Sequence, residues 1–158
     1  MSFSIRQATI ADLSMIQQLN HGLFEFSYPE HDEILLKNWA LSSDGTTYFT
    51  KALSDPHYIT FLAVNENNQP QGYIIGTSNN KYTYRTQITG ELDNMFVVPD
   101  GRGQGVGKAL VLKLKEWLKD KGVGRMYVSA YWKNKFAIGF YKAVGFTEID
   151  IGLEIKVW

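Results

Sequence analysis

The segment Val98-Pro99-Asp100-Gly101-Arg102-Gly103-Gln104-Gly105-Val106-Gly107-Lys108 has the residue types to hold a phosphorylated ligand. An apolar, strand-like run from Met95 to Val98 leads into it, and an amphipathic helical run from Lys108 to Lys121 follows. Glycine lets a backbone adopt positive φ and approach a ligand closely. The first N–H groups of a helix lack intrahelical partners and point into the turn before it, where an anion is stabilised.

Spacing excludes two common phosphate loops. A P-loop needs a glycine five residues before its Gly-Lys pair and a hydroxyl residue after it. Those places hold Arg102 and Ala109. The dinucleotide pattern G-x-G-x-x-G also fails, because its third glycine would fall on Val106 or Lys108. What fits is Arg-x-x-Gly-x-Gly, at Arg102, Gly105 and Gly107.

The flanking elements must position this loop. Phe3 to Ala8 reads as a strand. Thr9 and Asp12, at capping-box spacing, start a helix with Leu13, Ile16 and Leu19 on one side, broken at Tyr28-Pro29-Glu30. Asp32 is placed to cap a second helix carrying Ile34, Leu35 and Trp39. Ser42 to Gly45 reads as a turn and Thr46 to Leu53 as a helix. Tyr58 to Val64 and Gln71 to Thr77 form a hairpin. Arg85 to Val98 reads as one long strand, weakened near Gly90. After the loop, Leu110, Val111, Leu114, Trp117 and Leu118 make one buried helical face that ends at Gly122. Arg125 to Tyr131 is a strand, Asn134 caps a helix, and Phe146 to Trp158 closes the chain as one or two strands. The order predicts an α/β fold with a mixed sheet and helices on both faces.

A chain of 158 residues predicts a single domain over 1–158. Sixteen basic and sixteen acidic residues cancel, so no global field recruits nucleic acid or an anionic membrane. The absence of cysteine removes disulfides, thiolate metal sites and thiol nucleophiles. His21, His31 and His57 have no metal-ligand spacing, so no metal is expected. No signal segment or membrane-length apolar run is visible, which makes the cytoplasm the expected compartment. The oligomeric state stays open, a homodimer included.

The loop resembles the acyl-CoA pyrophosphate loop of the GNAT superfamily of N-acetyltransferases. Residues 134 to 146, Asn-Lys-Phe-Ala-Ile-Gly-Phe-Tyr-Lys-Ala-Val-Gly-Phe, are similar to that family's second motif, Asn-x-x-Ala-x-x-Phe-Tyr-x-x-x-Gly-Phe. The two motifs cover roughly the C-terminal half, and the N-terminal half agrees only in element order. The resemblance implies a mostly antiparallel sheet with a splayed central strand pair, and acetyl-CoA as co-substrate. Backbone amides of Gly103, Gln104, Gly105, Val106, Gly107 and Lys108 would hold the pyrophosphate, with Arg102 adding charge or bracing the loop. The pantetheine arm would pair with the main chain of Met95, Phe96 and Val97 like an added strand. The Val97 amide would face the thioester oxygen, and Asn134 would bond an amide of the arm. Tyr141 stands where the family keeps the tyrosine that protonates the departing thiolate.

An attacking alkyl ammonium, with a pKa near ~10.4, must lose a proton first. Glu91 and Asp93 are the candidate bases, directly or through water. Period two puts them on one face that continues through Met95 and Val97 if no bulge intervenes. Either carboxylate is equally readable as a strand-end group paired with a nearby Lys or Arg. Tyr28, Trp39, Tyr48 and Phe49 fall in the region from which the family builds its acceptor pocket, with core packing expected for at least two of them. The five residues between Val128 and Asn134 exceed the usual gap, so Tyr131 and Trp132 are free to project toward the acceptor. The expected activity is acetyl transfer to a primary amine by direct attack in a ternary complex, since no cysteine can carry an acetyl group. Glu91 and Asp93, with Glu30, Asp32 and Glu33, favour a small cationic acceptor. A protein amine, a non-catalytic acyl-CoA sensor and a purely structural domain are the alternatives.

Overall fold

A computed structural model describes residues 2–27 and 30–158. Its elements run β1 (Phe3–Gln7), α1 (Leu13–Ser27), α2 (Ser43–Ser54), β2 (Tyr58–Asn65), β3 (Pro70–Thr77), β4 (Thr89–Val97), α3 (Val106–Asp120), β5 (Arg125–Tyr127) and α4 (Lys135–Ala143). The strands form one five-stranded sheet in chain order, antiparallel from β1 to β4, with β5 parallel to β4. This is the mixed, mostly antiparallel architecture expected from the sequence.

Strand alternation sends side chains to two faces. Leu62, Tyr73, Ile75 and Phe96 pack under α1 and α2 with Ile16, Leu19 and Phe49. Phe61, Ile74 and Leu92 pack under α3 with Val106, Leu110 and Leu114. Both faces of β2 and β3 are therefore covered, which is why their sequences read as nearly continuous apolar runs.

A short 3-10 turn, Ile10–Asp12, leads into α1. There Asp12 Oδ2 accepts from the Thr9 amide at 2.8 Å. Arg6 donates to both oxygens of the same carboxylate, at 2.9 and 2.7 Å. The Arg6 hydrogen bonds hold the Asp12 carboxyl down at about 2. A depressed carboxylate stabilises the fold above its unfolded pKa of ~3.9 and loses that contribution as pH falls through the folded value. Asp12→Asn is expected to flatten the stability-versus-pH curve between about pH 4 and pH 2. Urea midpoints of both proteins across that window check it.

Four expectations for the chain up to β4 change. No helix follows Asp32: its carboxylate instead accepts from the Ile34 amide in a local turn, and only a 3-10 turn, Trp39–Leu41, precedes α2. The 42–45 turn is a helix start, with Ser42 Oγ accepting from the Gly45 amide. β4 begins at Thr89, because residues 81–88 form a loop closed by the Lys81 amide on Thr89 O and the Thr89 amide on Asn80 Oδ1. Gly90 lies in regular register with Met126, and the irregularity falls further on, at Asp93. The helix break expected at Tyr28-Pro29 lies outside the described residues, and α1 is described to Ser27.

β5 is shorter than expected, three residues against seven, and pairs with β4 from Thr89↔Arg125 to Glu91↔Tyr127 and no further. Beyond that pair the two strands separate, which is the expected splay. Residues 146–158 form no strand. Among the described residues no strand pairs with them, and the apolar side chains from Ile149 onward are exposed.

Candidate active site

The site is built where β4 parts from β5. Gly76 pairs with Leu92 and Ile75 with Asn94, so Asp93 is an extra residue in β4. Such a bulge resets the alternation. Leu92, Met95 and Val97 consequently pack toward α3, while Asp93 and Asn94 make their contacts on the α1/α2 face. The face carrying Glu91 and Asp93 thus does not continue through Met95 and Val97. The expectation of one unbroken face is corrected by the bulge.

Two tyrosines reach the bulge. Tyr48, from α2, donates to Asp93 Oδ2 at 2.5 Å. Tyr73, from β3, donates to Asn94 Oδ1 at 2.5 Å and accepts from Asn20 Nδ2 at 2.9 Å. Burial pushes both phenols well above their ordinary range, so they remain donors. Glu91 is held differently: Lys81 Nζ contacts its two oxygens at 3.0 and 3.2 Å. The Glu91 hydrogen bond raises the Lys81 ammonium.

The main chain at Val97 is open on the splayed side. The Val98 amide donates across to Gln71 O on β3 at 3.0 Å. Main-chain groups alternate along a strand, so the N–H and C=O of Val97 point the other way, into the cleft. Arg102 Nε takes that carbonyl at 3.1 Å. Its guanidinium lies over the rings of Phe26 at 4.7 Å and Phe136 at 5.6 Å. Arg102 is therefore a brace across the cleft mouth.

The glycine loop closes one end of the cleft. Gly103 and Gly105 have φ of +72° and +84°, and Gly105 is the N-cap of α3. Gly107 is tight for a different reason: a Cβ there would lie 3.1 Å from the Phe140 ring and 3.2 Å from Met95 Cε. The exposed amides at the α3 start and the open edge of β4 form one continuous groove, fitted to an anionic head with an amide-bearing arm.

That groove has a cavity volume of about 310 Å³. Met95, Phe96, Val97, Arg102, Gly103, Gly105, Val106, Gly107, Lys108, Asn134 and Tyr141 all line it. Gln104 does not: its side chain donates to Asp100 O at 2.6 Å and pins the loop. Glu91 and Asp93 lie outside the lining. Leu23 and Phe26 of α1 line the groove without any sequence signal, whereas Phe136 and Phe140 were visible inside the second motif. Asn134 Oδ1 caps α4 by accepting from the Ala137 amide at 3.0 Å. Tyr141 packs against Phe140 and Phe146, and desolvation pushes its hydroxyl up to about 12.

Of the acceptor-side aromatics, Phe49 is fully buried core and Trp39 stacks on Phe24. Tyr28 lies outside the described residues. Tyr131 crosses to the N-terminal half, donating to Asp32 Oδ2 at 2.8 Å, while Trp132 stays exposed under Lys135. His31 stacks on Tyr131, His21 Nδ1 contacts Lys37 O and His57 sits in a turn on Asp55. Among the described residues, no group of three His, Asp or Glu side chains converges on one point.

Three relatives bear on this arrangement. The chain is 28% identical over 161 residues to the uncharacterized N-acetyltransferase MJ1207 of Methanocaldococcus jannaschii, matching 99% of this chain but spanning only 65% of that relative. It is 27% identical to the aminoglycoside N(6')-acetyltransferase type 1 of Stenotrophomonas maltophilia, over 93% of this chain and 88% of the relative. Identity to the thialysine N-epsilon-acetyltransferase of Bos taurus is 28%, over 89% of this chain and 82% of the relative. The fold superposes on AAC(6')-Iy in complex with a CoA bisubstrate analogue, with a TM-score of 0.78 at 21% identity, covering 99% of this chain and 98% of that one. Residues 13–146, which hold the glycine loop, the splayed strand and the second motif, match the acetyltransferase (GNAT) family, and the chain belongs to it.

Proposed function

We propose that the chain moves the acetyl group of acetyl-CoA to a primary amine by direct attack in a ternary complex, and that the acceptor is a small cationic molecule. One observation carries this reading: Val97, with its outward-facing main chain, and Tyr141 line one groove that begins at the glycine loop. Acetyl-CoA supplies an acyl group activated as a thioester. The loop amides and the α3 N-terminus hold the pyrophosphate. Val97 offers its carbonyl and amide to the arm once Arg102 gives up the carbonyl. The same amide donates to the oxygen on which charge collects. Tyr141, with its hydroxyl near 12, is protonated throughout the neutral range and donates to the departing sulfur.

Asp93 is the better placed of the two carboxylates to take the proton of the amine. Lys81 occupies both oxygens of Glu91, whereas Tyr48 binds one oxygen of Asp93. The acidic groups Asp93 and Asp32 on the α1/α2 side suit a cationic acceptor. The aminoglycoside and thialysine acceptors named for two relatives support that choice.

Acetyl-CoA is expected to raise the melting temperature while NAD and ATP do not. Ligand at a hundredfold excess over Kd stabilises by about 2.7 kcal/mol. A thiol-release assay with a panel of amines then tests turnover. No shift at saturating acetyl-CoA removes the proposal. A shift without turnover on any amine leaves a sensor.

Asp93→Asn is expected to lose more rate than Glu91→Gln at neutral pH, and to recover partly as pH rises, because more of the amine is then already neutral. The pH–rate profiles of both variants check this. Two unchanged profiles would pass the base role to a water chain.

A further inference from the structure

We infer that Lys81 is a specificity-determining residue: its ammonium fills the place on Glu91 that a second ammonium of the acceptor would take, so the site favours amines that present a single cation to β4 over diamines. The inference rests on the reading that the reacting amine of the acceptor meets Asp93.

An ammonium is already seated on this part of the sheet. Lys81 Nζ reaches both oxygens of Glu91 and lies 5.0 Å from the centre of the Tyr127 ring. A carboxylate and an aromatic face are the two kinds of group that recognise an alkylammonium. Tyr82 packs edge-on against Tyr127 at 5.7 Å and steadies the ring. The Glu91 hydrogen bond is the main cause of the raised Lys81 ammonium, and the charge of Asp93 contributes as well. Lys81 therefore lies in the field of both carboxylates. Two carboxylates against one ammonium leave one negative charge for the acceptor at neutral pH.

Lys81 is anchored at its main chain and accessible at its tip. Its amide donates to Thr89 O at 2.6 Å, whereas its side chain is 35% exposed against 18% for Glu91. An ion pair with an accessible partner is weak and exchanges with other ammonium groups. Residues two apart along a strand lie roughly 6–7 Å apart, about the reach of an α,ω-diamine of four or five carbons. Such a diamine could neutralise Asp93 and Glu91 together. With Lys81 in place its second ammonium only replaces an equivalent contact, so it gains little over the monoamine. Without Lys81 that contact is a net gain.

Calorimetric titration of the CoA-saturated protein tests this, with butylamine and pentylamine as probes beside the α,ω-diamines of the same chain lengths. The wild type is expected to bind each diamine and its monoamine within about twofold of each other. In Lys81→Met and Lys81→Gln the preference for the diamine is expected to rise about fivefold or more, the scale of one accessible ion pair. Lys81→Arg should keep the wild-type ratio, and adding Glu91→Gln to Lys81→Met should abolish the gain. Far-UV CD checks that each variant is folded. An unchanged ratio in both folded variants overturns the inference, as does a gain that survives Glu91→Gln or a failure of the variants to bind any of these amines. Thiol release by the wild type is scored separately. A wild type that turns over no amine defeats the acetyl-transfer reading, while the binding ratios still decide the role of Lys81.

Discussion

Tyr141→Phe is expected to lower kcat on the order of 10²-fold while leaving acetyl-CoA binding nearly unchanged. The ring sits 5.4 Å from Phe140 and 5.5 Å from Phe146, and phenylalanine keeps both contacts. Only the hydroxyl is lost. Desolvation holds that hydroxyl near 12, so it contributes no ionisation of its own to the pH–rate profile near neutrality. The variant should therefore be slow at every pH rather than shifted along the pH axis. Steady-state kcat beside a separately measured Kd for acetyl-CoA decides it. A variant with full kcat would show Tyr141 to be packing alone.

Gly105→Val is expected to weaken acetyl-CoA binding by about tenfold or more. Gly105 caps α3 at φ +84°, and a side chain built there meets nothing within 4 Å. The penalty is therefore one of backbone, not of crowding. A non-glycine residue held in the left-handed region costs about 1–3 kcal/mol, and a β-branched one is disfavoured further. The loop either keeps its shape at that cost or relaxes and turns its amides from the ligand, and each tenfold in affinity is about 1.4 kcal/mol. Gly107→Ala is the contrasting control. Its Cβ meets the flexible end of Met95 and the Phe140 ring, in ordinary helical backbone. Calorimetric titration of both variants separates strain from contact. Unchanged affinity in folded Gly105→Val would make the loop a plain turn.

Much of the site could be read from local patterns. A strand, a glycine turn and a helix are consecutive in sequence, so the order of elements from Met95 to Lys108 was legible, although α3 starts at Val106, two residues before the expected Lys108, behind a left-handed Gly105. Asn134 was recognisable as the α4 cap because capping involves only the next few residues. The hairpin β2–β3 and the buried face of α3 followed from period two and period 3.6.

Tertiary structure decided what depends on distant partners. The bulge at Asp93 is invisible in a strand pattern, because alternation is the default and the extra residue shows only against β3. It is held by Tyr48 and Tyr73, 45 and 21 residues from their partners. Arg102 was legible as part of a phosphate loop, but its place on Val97 O depends on Phe26 and Phe136 arriving from α1 and α4. Asp32 had a capping residue's identity without the packed helical face needed to sustain a helix. The alternation after Phe146 predicts one or two strands, yet the structure forms none there, because a strand needs a paired edge and the tail's apolar side chains stay exposed. Sequence by itself thus determined the glycine loop, the α4 cap and the candidate acid. Only the tertiary structure decided which faces those residues share, because sharing a face depends on bulges, crossings and partners that no local period contains.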